Sequence, residues 1–241
     1  MKMKKYGLIG YPLSHSFSPG YFAQKFKDEG ITDRKYDLYP LQEISEFKNL
    51  GLMSGINVTI PYKEQVMVYL DELSIEAETI GAVNTIKYVN GKKIGYNTDA
   101  YGFMHSLSPL WIDRDQPQKA LVLGTGGAAK AVWYVLDQLG ISFKKVSRTK
   151  GDITYRELDK RLIEDHQLII NTTPVGMSPN VDSCPDLPYE GISSDHYLYD
   201  LVYNPQKTLF LSKGQANGAV IKNGHEMLEL QADRSWEIWN S

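Results

Sequence analysis

The chain has 241 residues, 42% of them hydrophobic and 23% charged, with a formal net charge of −3; this suits two modest globular domains and excludes a disordered segment. No basic stripe stands out from the mixed-sign sequence, so nucleic acid is not an expected partner, and no apolar run approaches a transmembrane span. Cys184 is the only cysteine, which excludes an intramolecular disulfide and a cysteine-built metal site.

Met1-Lys-Met-Lys-Lys5 opens like a signal peptide, but Gly10, Pro12 and His15 break the apolar run that follows, and a reducing, cytoplasmic setting is expected. Tyr6 to Ile9 reads as a strand, and Gly10-Tyr-Pro-Leu-Ser-His-Ser-Phe-Ser-Pro19 as a loop whose Ser18-Pro19 caps a helix from Gly20 to about Glu29. Hydroxyls at Ser14, Ser16 and Ser18 beside a helix start suit a carboxylate or phosphate oxygen; plain capping and solvation is the alternative for Ser14 and Ser18. A strand at Arg34 to Tyr39, a helix at Gln42 to Leu50 and a strand at Gly55 to Ile60 alternate as in a parallel sheet with helices on its faces.

Gly55-Ile-Asn-Val-Thr-Ile-Pro-Tyr-Lys63 is the stretch of greatest chemical interest. Pro61 and a helix-forming run from Tyr62 to Leu70 place Lys63 in a first helical turn, where the backbone N–H groups and helix dipole disfavour a cation unless a carboxylate restores the balance. Ile75 to Ile80 reads as a helix, and Ala82 to Val89 pairs with Lys92 to Tyr96 around the turn signal Asn90-Gly91, with Asn84 on the first of these strands. Asp99 follows that hairpin and opens a helix toward Ser108-Pro109. It can supply the carboxylate, and a lysine held by an aspartate is a general acid or base fit for interconverting an alcohol and a ketone. A surface ion pair is the plain alternative.

A second unit starts at the short buried strand Lys119-Ala-Leu-Val-Leu123. It leads into Gly124-Thr-Gly126-Gly127-Ala128-Ala129 and an amphipathic helix ended by Gly140, the G-x-G-x-x-A form of a dinucleotide-binding turn. Gly124 permits the turn, Gly126 lets a pyrophosphate approach the backbone, and Ala129 allows close helix–strand packing. The next strand, Phe143 to Ser147, runs into Ser147-Arg148-Thr149-Lys150, where an NAD site would carry an acid. A guanidinium, an ammonium and hydroxyls suit a 2′-phosphate, so NADP is preferred. Strands follow at Leu168 to Asn171, leading into Thr-Thr-Pro-Val-Gly-Met177, at Tyr197 to Tyr203 and at Ala219 to Lys222, with a helix at Thr208 to Asn217. In a last helix, His225 to Trp239, Met227, Leu228 and Leu230 read as core, Trp236 and Trp239 pack back on the first domain, and Gln231 could be a surface amide. The histidines (His15, His105, His166, His196, His225) show no metal-ligand spacing and read as surface or cap residues, so no metal is expected.

Taken in order, eight blocks resemble the shikimate dehydrogenase family along almost the whole chain: the Gly10 to Pro19 loop, Gly55 to Lys63, Ile80-Gly-Ala-Val-Asn-Thr85, Gly95-Tyr-Asn-Thr-Asp99, Gly124 to Ala129, Asn171 to Met177, Asp200-Leu-Val-Tyr-Asn-Pro205 and Met227-Leu-Glu-Leu-Gln-Ala232. The resemblance implies an α/β substrate domain over residues 1–102, completed by the C-terminal helix 225–241, a Rossmann-type doubly wound NADP domain over 103–224, and a cleft that can close. It implies NADPH-dependent reduction of 3-dehydroshikimate to shikimate, toward chorismate and the aromatic amino acids, by a monomer or homodimer. Lys63 would give the proton with Asp99 beside it. Ser16 and Ser18 would hold the substrate carboxylate, and Asn57, Thr59, Asn84 and Gln231 the ring hydroxyls. Gly124, Gly126, Gly127, Ala128, Ser147, Arg148, Thr149, Lys150, Thr173, Val202 and Gly224 would bind the cofactor. The competing readings are a quinate or aminoshikimate dehydrogenase of the same fold and a non-catalytic dinucleotide-sensing module, which has no need of a proton-transfer pair.

Overall fold

The computed structural model describes residues 3–14, 16–111 and 115–241, so Met1, Lys2 and His15, on which the leader and histidine readings partly rest, lie outside the described residues. The chain divides into two compact units. One holds the residues up to Tyr101 together with Gln231–Ser241, and the other is Gly102–Leu230. Among the described residues no helix is long and apolar enough to cross a membrane.

The first unit is built from β1 (Lys4–Gly10), α1 (Ser18–Asp28), β2 (Arg34–Pro40), β3 (Gly55–Val58), β4 (Glu72–Leu73), α2 (Ile75–Ile80), β5 (Thr85–Val89) and β6 (Lys92–Tyr96), with 3-10 turns at Ile44–Asn49 and Gln65–Tyr69. Its sheet runs β2-β1-β3-β5-β6-β4. The first three strands are parallel, as their alternation with helices predicts, but β5 enters antiparallel to β3 and β6 antiparallel to β5. Asn90 (φ 51°) and Gly91 (φ 81°) make that reversal, both in the left-handed region that a two-residue hairpin requires. The C-terminal ends of β1, β3 and β6 and the start of β5 therefore meet at one edge of the sheet. Ile9, Ile56, Val58, Val66 and Ile86 fill one buried cluster. Tyr6, Phe22, Phe26 and Tyr36 fill another, closed by Ala232 and Trp239 of the returning C-terminal helix (His225–Asn240).

The second unit takes in most of α3 (Asp99–Leu107), then β7 (Lys119–Leu123), α4 (Gly127–Gln138), β8 (Ser142–Ser147), β9 (Ile153–Thr154), α5 (Lys160–Glu164), β10 (Leu168–Asn171), β11 (Tyr197–Asp200), α6 (Leu209–Ala216) and β12 (Val220–Asn223). Its sheet runs β12-β11-β10-β7-β8-β9 with every pair parallel. That is the doubly wound order, with the chain reversing direction across the sheet between β7 and β10. Strands β10 and β11 are buried along their whole length, as a parallel sheet covered on both faces demands.

Four local expectations are corrected. Ser18 is the first residue of α1 and not its cap; Phe17 holds the cap position without a side-chain bond. Lys63 lies in a turn ahead of the 3-10 segment Gln65–Tyr69, not in the first turn of an α-helix. Asn84 immediately precedes β5 instead of lying on a strand. His166 and His196 are buried, 3% and 2% exposed, because backbone carbonyls satisfy their rings: His166 Nδ1 lies 2.8 Å from Leu162 O, and His196 Nε2 lies 3.0 Å from Ile163 O while its Nδ1 accepts from Ser193 N–H.

Candidate active site

The edge where β1, β3, β5 and β6 meet carries the polar residues of the first unit. Tyr62 drives the local geometry. Its ring is buried and its hydroxyl donates to the carbonyls of Leu41 (2.7 Å) and Gln42 (2.8 Å), pinning the turn after β3. The Val83 N–H donates to Lys63 O at 2.7 Å, which fastens the same turn to the strand entering β5. So held, Lys63 Nζ donates to Asp99 Oδ2 at 2.5 Å, with the two side chains only 15% and 8% exposed. Asp99 is the first residue of α3, where a carboxylate is favoured. Its other oxygen accepts from Asn84 Nδ2 at 2.9 Å, and Asn84 Oδ1 accepts the Thr98 N–H at 2.7 Å. Desolvation and a fixed donor on each oxygen leave this carboxylate little freedom to rotate.

The other expected substrate ligands divide. Gln231 is not a surface amide: it is 8% exposed, and its Oε1 lies 3.4 Å from Asn84 Nδ2. Ser18 is also 8% exposed, while the Ser16 hydroxyl donates to Leu13 O at 2.9 Å. Thr59 follows β3, its N–H donating to Ile9 O, and its methyl occupies the space that a side chain at Gly10 would need. Asn57 is turned inward at both ends of its amide: Tyr36 Oη donates to Oδ1 at 2.8 Å, and Nδ2 donates to Ser235 Oγ at 2.9 Å and Thr85 Oγ1 at 3.1 Å. Burial pushes the Tyr36 phenol well above its ordinary pKa, the neighbouring Ser18 hydroxyl pulling the other way. Tyr36, Thr85 and Ser235 were not singled out from sequence. The one available signal for Ser235 is its position one helical turn after Gln231.

In the second unit, the glycine turn has the geometry that its sequence demands. Gly124 adopts φ 112°, and a Cβ there would fall 2.5 Å from Thr172 Oγ1. Gly126 is the N-cap of α4 with no side-chain cap, so the first-turn N–H groups, which begin at Gly127 and Ala128, are open to an anion. Ala129 is fully buried beneath them. After β8, Ser147 Oγ accepts the N–H groups of Thr149 (3.2 Å) and Lys150 (2.7 Å) and so shapes the turn. Arg148, Thr149 and Lys150 are exposed, and neither cation has a carboxylate partner among the described residues. Thr173, Val202 and Gly224 follow the C-terminal ends of β10, β11 and β12 respectively, the edge where ligands bind such sheets.

A buried carboxylate that sequence reading did not assign ties two of those loops together. Asp200 Oδ1 accepts from Asn171 Nδ2 and from the Val202 N–H, each at 3.0 Å, and Oδ2 accepts from Thr208 Oγ1 at 2.6 Å. Asn171 Oδ1 in turn accepts from Thr173 Oγ1 at 2.6 Å. Burial raises the Asp200 pKa to about 6, the Thr208, Val202 and Asn171 donors opposing it.

The family model of the shikimate dehydrogenase substrate binding domain matches residues 8–86, within the first unit. An NADP(+) shikimate dehydrogenase of Methanococcus maripaludis is 38% identical over 263 residues, covering 99% of this chain and 91% of the relative. One of Halothermothrix orenii is 39% identical over 261 residues, covering 97% and 89%. The crystal structure of shikimate 5-dehydrogenase from Thermus thermophilus, in complex with NADP(H) and shikimate, is similar at a TM-score of 0.85 and 30% identity, covering 98% of this chain and 93% of that one. With identity at this level over nearly the whole length, and so over both units, the chain belongs to the shikimate dehydrogenase family.

Proposed function

We infer that this chain is an NADP-dependent shikimate dehydrogenase that reversibly reduces 3-dehydroshikimate to shikimate, a step toward chorismate and the aromatic amino acids, with Lys63 as the proton-transfer group. The observation that carries the reading is the Lys63–Asp99 contact at 2.5 Å, with Asn84 fixing the far oxygen of the carboxylate. In the reductive direction the Lys63 ammonium gives a proton to the ketone oxygen, and in the oxidative direction its amine takes the proton back. Asp99 holds the Lys63 head group in place through both protonation states. Ser16 and Ser18 bind the substrate carboxylate, and Thr59 and Gln231 bind ring hydroxyls; Asn57 and Asn84, their amides already engaged, act by holding the wall behind them and, in Asn84, the Asp99 carboxylate.

The cofactor supplies the hydride. The residues present fit it: the uncapped start of α4 at Gly126, Gly127 and Ala128 suits a diphosphate, and Arg148, Thr149 and Lys150 suit a 2′-phosphate that a carboxylate would repel. Thr173, Val202 and Gly224 line the nicotinamide end.

The test follows NADPH absorbance with purified protein and shikimate, repeated with NAD, with quinate and with Lys63→Ala. Turnover of shikimate with NADP is expected, and the variant should lose about 10²- to 10⁴-fold in kcat, the usual share of a general acid–base group, while binding NADP unchanged. A variant with wild-type kcat removes Lys63 from the chemistry. Turnover of quinate alone would replace the substrate.

A further inference from the structure

Behind Asn84 lie three hydroxyls that the proposed chemistry does not use: Thr85, Thr98 and Ser235, 0%, 1% and 0% exposed. Thr85 Oγ1 lies 2.7 Å from Ser235 Oγ, and Thr98 Oγ1 lies 3.1 Å from Ser235 Oγ and 3.3 Å from Thr85 Oγ1. Three polar groups withdrawn from water at this spacing must share hydrogens in one consistent order. We propose that Thr85, Thr98 and Ser235 form a positioning cluster that fixes the amide of Asn84, and through it the Asp99 carboxylate, for proton transfer at Lys63. The proposal rests on Lys63 being the proton-transfer group.

The order of hydrogens can be followed from the C-terminal helix to the carboxylate. Ser235 Oγ donates to Gln231 O at 2.9 Å, so its lone pairs are left for Asn57 Nδ2 at 2.9 Å and for the Thr85 hydroxyl. The second Asn57 hydrogen goes to Thr85 Oγ1 at 3.1 Å. Thr98 Oγ1 accepts one hydrogen of Asn84 Nδ2 at 2.9 Å, and the other hydrogen reaches Asp99 Oδ1 at 2.9 Å. Asn84 Oδ1 faces the Thr98 N–H at 2.7 Å. The amide therefore has one orientation, with N–H toward Asp99. Removing the Ser235 hydroxyl strands the Thr85 proton, whose next acceptor is Asn84 Oδ1 at 3.2 Å. That draws on the oxygen that sets the amide's orientation, and the carboxylate loses its fixed donor.

The experiment compares kcat and KM for shikimate in wild type, Ser235→Ala, Thr98→Val, Thr98→Ser and the Ser235→Ala/Thr98→Val double variant. Phe47→Leu, a core change that removes none of the cluster's hydrogen bonds, serves as a control for lowered stability. We expect Ser235→Ala and Thr98→Val each to lose about tenfold in kcat with KM changed less than about twofold, the effect of one misplaced hydrogen bond on a transition state. Thr98→Ser, which keeps the hydroxyl, should retain kcat. The double variant should cost no more than the worse single one, because both act through the same amide. Unchanged kcat in both single variants overturns the proposal, as does a fall that Phe47→Leu reproduces at equal Tm, or a rise in KM with kcat kept. Should wild type fail to oxidise shikimate, the functional reading fails by itself, and the cluster is judged by the NMR signal of the Asn84 side-chain amide. A shift or broadening of that signal in Ser235→Ala supports the cluster; an unmoved signal overturns it.

Discussion

Single residues in this chain do their work by being dry. Asp200 is wholly buried, and its carboxyl is pushed up to about 6 from the ordinary value of 3.8. Because the raised pKa belongs to the folded state, the folded protein binds the proton more tightly than the unfolded one. Its contribution to stability is fully present below the unfolded pKa and is lost as pH rises through 6. The loss amounts to about 3 kcal/mol across roughly pH 4 to 7. Asp200→Asn removes the charge, keeps the acceptor for Val202 N–H and Asn171, and offers Thr208 an N–H. Urea unfolding at several pH values should therefore show wild type losing about 3 kcal/mol relative to Asp200→Asn from roughly pH 4 to 7. A pH-independent difference would show that the ionised carboxylate is fully compensated by its three donors. Sequence reading singled out Lys63, Asp99 and Asn84, which the structure brings together, because they stand in short polar motifs at strand ends. It left Asp200, Thr85 and Ser235 without a role, because a lone polar residue in an apolar strand or on a helix looks the same whether it faces water or a buried amide.

At the scale of elements, two glycines give opposite expectations. Gly55 opens β3, and a Cβ there would lie 2.3 Å from the indole nitrogen of Trp239, which donates to Ile86 O at 3.0 Å. Gly55→Ala must displace the ring or the strand and should destabilise the first unit by about 2 kcal/mol, the usual cost of overpacking. Gly20 sits in α1 with nothing within 4 Å of an added Cβ. Gly20→Ala should raise stability by about 0.5 to 1 kcal/mol by restricting the unfolded chain. Chemical denaturation of the two variants checks both signs. The long periodic elements were legible: β7, the glycine turn and α4 follow from an apolar run, Gly124 and a 3.6-residue stripe. The two-residue strands β4 and β9 were not, since they have too few residues to show a period and exist because neighbouring strands offer free backbone groups; the helices expected at Gln42 to Leu50 and Tyr62 to Leu70 are the shorter 3-10 segments Ile44–Asn49 and Gln65–Tyr69. The same limit misplaced Lys63, whose turn is set by Tyr62 reaching the carbonyls of Leu41 and Gln42 and not by helix propensity.

For the whole molecule, the division into two cores makes stability separable. Deleting Gln231–Ser241 removes Ala232 and Trp239 from the aromatic cluster and Ser235 from its amide partners. The expected result by hydrogen exchange is loss of protection throughout the first unit with the sheet of Gly102–Leu230 still protected; uniform loss in both units would refute the separation. The family resemblance suggested that the whole helix 225–241 completes the first domain; Gln231–Ser241 lies with the first unit and His225–Leu230 with the second. Roughly 130 residues separate Tyr101 from Gln231, so at about 5 to 20 residues per second the ribosome spends on the order of ten seconds between the two parts of one core. For that interval Tyr6, Phe22, Phe26 and Tyr36 lack the tryptophan that covers them, and the sheet encoded in between receives its last strand, β12, before that tryptophan is made. The half made first is thus the half finished last, and its nascent aromatic face is where a chaperone would be needed.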